Sequence, residues 1–305
     1  MNWLSHFRRL ASFSRRLSEH QLRHLEDWEM ELSEQTLFGD GSLEAPGLYF
    51  LGYYSRSGLD LVFKKYGFYE DLRELGYRDL KMVMKTDDPF SHRLALYNER
   101  EDPEHLLTDL VARRKTITLN TPIDCEISGR QFEVLFIEWL TLQNYKGKFS
   151  GERPRLPGQK YPGLGLGWVV LEFLLMASRR LGFPAILNIP EYFHNAQIYA
   201  SHFHFADPVM EGRRQAIERD LLSVHPLGDV AWAIDQHCVL ENGNPFQWSI
   251  SGQFLPLSAP VKAYFNDPRY RRMVAEAREG HRYMLDPDAW ARFQAARPAD
   301  TVYIR

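Results

Sequence analysis

Two cysteines, Cys125 and Cys238, are all that the 305 residues contain. They stand far apart, so a disulfide-framed fold is excluded, and neither sits at the spacing of a zinc ligand set. A reduced, cytoplasmic location is the expectation. No uninterrupted apolar run reaches the ~18–20 residues that a membrane-spanning helix needs, so no membrane association is expected. Charge of one sign is also missing. With 37 basic and 40 acidic residues the net charge is −3, which gives no general attraction to nucleic acid or to an anionic surface. Neither an internal repeat nor a low-complexity tract is present. Residues 1–22, MNWLSHFRRLASFSRRLSEHQL, are basic and amphipathic but lack the continuous apolar core of a secretory signal. Their Arg and Ser content loosely matches an organelle-targeting sequence, the lesser reading because acidic residues soon follow.

What is present fits a globular chain: 44% hydrophobic and 25% charged residues, enough to bury a proper core in one large domain or two modest ones. Apolar spacing predicts one or two amphipathic helices within 1–37. Strands are expected at 48–55 and 79–88. Helical spacing with glycine breaks runs through 57–77, and Leu106, Leu107, Leu110 and Val111 suggest a helix over 103–115. The stretch 130–144, RQFEVLFIEWLTLQN, is rich in β-branched and aromatic residues and reads as a long central strand. A loop over 145–165 and a nearly wholly apolar helix over 166–181 follow. Next come a strand at 184–190, a helix at 191–203, a strand at 204–209 and a helix at 212–224. Two strands at 230–240 and 246–257 are joined by a turn at ENGNP, and a helical tail starts at Pro260. The fold class expected is α/β, a mixed central sheet flanked by helices. The division expected is an N-terminal helical segment (1–47), a core (48–224) and a C-terminal strand-and-helix extension (225–305).

The loop before the apolar helix, PGQKYPGLGLGW, holds Gly163, Gly165 and Gly167 at alternate positions. Glycine inside an element costs roughly 0.5–1 kcal/mol relative to alanine, so three at alternate positions point to a tight turn or to close approach by a ligand. The first backbone N–H groups of a helix have no intrahelical acceptor, and the helix dipole adds partial positive charge there. A phosphate or diphosphate suits such a place; a glycine turn serving helix–strand packing is the alternative. A P-loop would need Lys and then Ser or Thr after its last glycine, and Trp168 follows Gly167. A dinucleotide fingerprint would need G-x-G-x-x-G and an acidic residue ending the next strand, which here ends in Asn188 and Pro190.

In this stretch the sequence resembles the GNAT superfamily of N-acyltransferases, whose loop of pattern Q/R-x-x-G-x-G/A follows the fourth strand. The resemblance covers about residues 130–209 and continues through ILNIPEYFHNAQIYASHFHF. It implies a GNAT-like core in which acetyl-CoA or another acyl-CoA serves as co-substrate. The motif glycines are Gly165 and Gly167, with Pro162 at the Q/R position, or Gly163 and Gly165, with Lys160 there. The implied diphosphate loop is Gly163, Leu164, Gly165, Leu166 and Gly167, with Gln159 or Lys160 meeting the phosphate from beside it. The resemblance further implies main-chain contacts from Leu140 and Leu142 to the pantetheine arm. Asn195 would lie near that arm, and Tyr199 would be the general acid that protonates the departing thiolate.

Acylation of an amine needs a base for the amine proton. Glu138, among the apolar neighbours of IEWL, is the candidate, since such surroundings raise a carboxylate pKa. Glu133 is the alternative, and a Glu138 that simply faces solvent or pairs with an arginine is the favoured bland reading. Tyr199 has its own bland reading, a core tyrosine with a satisfied hydroxyl. His194, His202 and His204 lie close in sequence, but no Cys or carboxylate completes a ligand set, so no metal site is expected. Arg213 and Arg214 are expected to be ion-paired; an acidic substrate or the CoA 3′-phosphate is the weaker alternative. The expected activity is transfer of an acyl group from acyl-CoA to a small-molecule or peptide amine. A catalytically silent ligand-binding protein of the same fold, or a relative using an acyl carrier protein or aminoacyl-tRNA as donor, are the alternatives.

Overall fold

The computed structural model describes residues 17–26 and 47–296. Most of the helices expected within 1–37 lie outside these residues. The chain divides into two units that interleave along the sequence. The first comprises Met1–Lys115, Leu135–Tyr145 and Gly163–Gly182; the second comprises Thr116–Val134, Lys146–Pro162 and Phe183–Arg305. The fold class is α/β.

In the first unit, α1 (Glu19–Arg23) starts from a capping box in which Ser18 and Gln21 satisfy each other's backbone N–H groups. Helix α2 (Arg56–Lys65) is capped by Ser55, whose hydroxyl accepts from the Gly58 N–H at 3.0 Å. A left-handed residue, Gly67, separates it from α3 (Phe68–Glu74), as the glycine breaks predict. Four strands follow: β1 (Leu80–Lys85), β2 (Ser91–Asn98), β3 (Leu106–Thr118) and β4 (Gln131–Leu142), neighbouring one another in that order, with the end of β3 and the start of β4 assigned to the second unit. Helix α4 (Gly167–Arg180) completes the unit.

Two expectations are corrected here. Residues 106–118 are a strand, not a helix: β3 pairs antiparallel with β2 from Ser91↔Arg113 to Tyr97↔Leu106. Thr108, Leu110 and Ala112 are buried at a period of two, and this alternation prevails over the helical spacing of the leucines. Residues 48–55 form a turn closed by an isolated bridge between Phe50 and Tyr54, because Leu51 and Gly52 both take positive φ. The strand β2 is poorly legible in SHRLALYN, since its last five residues are all buried and the alternation is lost. Aromatic packing holds the helices together. The Phe63 ring lies 5.2 Å from Phe68, 5.8 Å from Tyr69 and 5.8 Å from Phe173.

The second unit contains β5 (Ala185–Asn188), α5 (Phe193–Ile198), β6 (His204–Phe205) and α6 (Pro208–Ile217), which runs on into one π-helical turn, Glu218–Leu222. It continues with α7 (Leu227–Asp235), β7 (Val239–Glu241), β8 (Asn244–Pro245), β9 (Gln253–Pro256), α8 (Ala259–Asn266), α9 (Pro268–Gly280), β10 (Tyr283–Leu285) and α10 (Pro287–Ala296). Strand β9 pairs antiparallel with both β5 and β6, and β7 pairs with β8 and β10. The strand expected at 230–240 is mostly α7. Val230, Ala231, Ala233 and Ile234 are all buried, a spacing of i, i+3 and i+4 that a helix face satisfies. The helix expected over 191–203 is confined to α5, and the strand over 246–257 to β9. The core of this unit gathers Phe193, Ile217, Leu221, Val230, Ile234 and Val239. Helices α6 and α9 approach closely at Gly212, where a Cβ would stand 2.5 Å from the Ala277 Cβ and 2.6 Å from the Val274 carbonyl oxygen.

Candidate functional site

The end of β4 and the glycine loop meet in the first unit. The Leu164 N–H donates to the Leu142 carbonyl at 3.4 Å, and Gln143 forms a bridge with Gly163. The strand is tied to β3 there as well, since the Gln143 N–H donates to the Leu107 carbonyl at 2.9 Å and its side chain to the Leu106 carbonyl at 2.9 Å. The chain then turns through Gly165 at φ 78. This is the one glycine of the three that needs left-handed backbone. Leu166 is the N-cap of α4 and offers no side-chain hydrogen bond, and the first turn contains no acidic residue. The helix therefore begins with neither of the usual internal answers to its N-terminal dipole. The contact from Leu164 takes one lone pair of the Leu142 carbonyl, an acceptor on which a pantetheine amide was expected.

The same strand and helix wall an apolar slot. Leu140 and Leu142 of β4 face Val169, Val170, Phe173 and Met176 of α4 across it. Leu94 and Leu110 contribute from β2 and β3, and Phe63, Tyr66 and Phe68 from the helical side. The space between these atoms is about 540 Å³, part of it open solvent. Thr108 and Tyr66 supply its hydroxyls, and no charged residue lines it. A slot of this kind was not legible in the sequence, because each of its residues reads equally well as plain core.

Glu138 is exposed and ion-paired with Arg113 across the β3–β4 ladder, the arrangement set beside the general-base role at the outset. Another carboxylate fits the buried-acid description better. Glu172, on α4, keeps its Oε2 buried without a hydrogen-bond partner, and burial pushes its pKa up to about 7. The signal for it was a lone acid in VVLEFLLMAS.

The remaining candidates belong to the second unit. Gln159 is turned into its own loop: its side-chain oxygen accepts from the Leu156 N–H at 3.1 Å, and its carbonyl from Arg155 Nε at 2.9 Å. Lys160 is exposed, with its ammonium 5.1 Å from the Tyr161 ring centre. Asn195 is exposed on α5. Tyr199 caps the end of α5, half-buried, its ring edge-on to Phe203 at 6.4 Å, and burial raises its pKa. His194 is buried and stacked on Tyr192 at 5.4 Å; desolvation pushes its pKa down to about 4, so the ring is neutral. Among the described residues no three His, Cys, Asp or Glu side chains come together as a metal site. Arg213 is held by Glu241 through two hydrogen bonds, and buried Arg214 by Glu211 and Glu218. Both guanidiniums are thus engaged within the protein rather than presented to a phosphate.

No protein-family model and no curated protein matches this chain. The site's own geometry therefore carries the functional argument. An uncapped helix start suits an anionic group, and the slot on the same strand and helix suits an aliphatic or flat apolar group. Among the described residues no helix is long and apolar enough to cross a membrane.

Proposed function

We propose that this chain is an acyl-CoA-dependent N-acyltransferase of GNAT type, transferring an acyl group to the amine of a small molecule or peptide. The observation that carries the proposal is the pairing, within one unit, of the side-chain-uncapped start of α4 behind Gly165 with the apolar slot walled by Leu140, Leu142 and Val170. An acyl-CoA has the matching polarity, a diphosphate at one end and an acyl thioester at the other. In the reaction proposed, the neutral amine attacks the thioester carbonyl, the tetrahedral intermediate collapses, and the thiolate leaves. Tyr199 is the residue proposed to protonate the departing thiolate. Glu138 is the residue proposed to accept the amine proton, directly or through water, and to do so it must give up its pairing with Arg113.

A thermal-shift series with CoA, acetyl-CoA and 3′-dephospho-CoA tests the proposal. A ligand that binds only the folded state raises the melting point, so CoA and its thioesters are expected to do so. A response equal for CoA and dephospho-CoA would favour a donor without the 3′-phosphate, such as an acyl carrier protein. A catalytically silent CoA-binding protein is the second reading, favoured by the engagement of Glu138 with Arg113 and of Gln159 with its own loop. Binding without turnover over a panel of amines would select it.

A further inference from the structure

We infer that the slot takes a linear aliphatic acyl chain of medium length in preference to acetyl. The inference rests on the acyl-CoA proposal and names the donor class within it. An acetyl group needs little more than a niche beside the thioester, whereas the α4 residues that line the slot span Val169 to Met176. At 1.5 Å of rise per residue that is about 10 Å, the length of roughly eight carbons in extended form. Large apolar side chains crowd the slot, Phe63, Phe68, Leu142 and Phe173 among them, which suits a single chain of methylenes better than a branched or bulky group. With no charge among its lining residues, a dicarboxylic acyl group would strand its carboxylate there. Burial of each added methylene tightens binding by about fourfold where the wall receives it fully.

Calorimetric titration of acetyl-, butyryl-, octanoyl- and dodecanoyl-CoA into the full chain tests this. Octanoyl-CoA is expected to bind at least about tenfold more tightly than acetyl-CoA, with no further gain at dodecanoyl. Met176 lies nine residues beyond the start of α4, so it is remote from the diphosphate. Met176→Trp is expected to move the preferred chain to a shorter length and Met176→Ala to a longer one. Either variant alone suffices should the other not fold. Equal affinity for acetyl- and octanoyl-CoA, or a preference that neither variant moves, overturns the inference while leaving CoA binding intact. Octanoyl-pantetheine separates the two ideas. If it binds in a Met176-dependent way while CoA and acetyl-CoA do not bind, the slot stands and the coenzyme reading falls; if no thioester binds, both fall.

Discussion

Three side chains illustrate how environment sets a role. Burial favours the uncharged form of both Tyr199 and His194, raising the first pKa and lowering the second. Tyr199→Phe is expected to lower turnover by about 10²–10⁴-fold while acyl-CoA affinity holds; steady-state rates set beside calorimetry make the comparison, and equal loss of both would contradict the assigned role. Glu172 contributes to stability in the opposite sense from a paired acid. Its folded pKa, about 7, lies above the ordinary 4.5, so between these values the native state binds more protons than the unfolded one. Stability from this group is present at low pH and is lost as pH rises through the window. Glu172→Gln should therefore melt progressively higher relative to wild type from pH 4.5 to 7, with a constant difference above. A difference that does not change with pH would mean that the carboxyl is solvated.

At the scale of elements, what was legible followed from unambiguous patterns. The long apolar β4, the glycine loop and α4 were read within a residue or two, because propensity, periodicity and turn chemistry agree there. β3 and α7 were misread because Leu, Ala and Val serve either period, and ladder pairing or helix packing decides between them. Close packing of α6 on α9 also lies beyond pattern reading, though Gly212 marks it. Gly212→Ala places a methyl within 2.5 Å of Ala277, an overpacking that costs typically about 1–3 kcal/mol. Chemical denaturation should show that loss; an unchanged midpoint would show that the two helices can part without cost.

For the whole molecule, the α/β class was legible but the two interleaved units were not, since each is assembled from segments distant in sequence. The candidate site divides the same way. Its strand end, glycine loop and helix start were named from GLGLGW, whereas the slot and Glu172 emerge only when β4 and α4 are in place. The acyl-donor proposal requires that the start of α4 receive a diphosphate. Leu166→Asp probes this, because an acidic N-cap stabilises a helix while repelling an anion bound at its start. Calorimetric titration of CoA into wild type and Leu166→Asp is the measurement, with melting points taken in parallel. The prediction is a melting point equal to or above wild type and CoA affinity weaker by about tenfold or more. Undiminished CoA binding by the variant, or no CoA binding by the wild type, would contradict it.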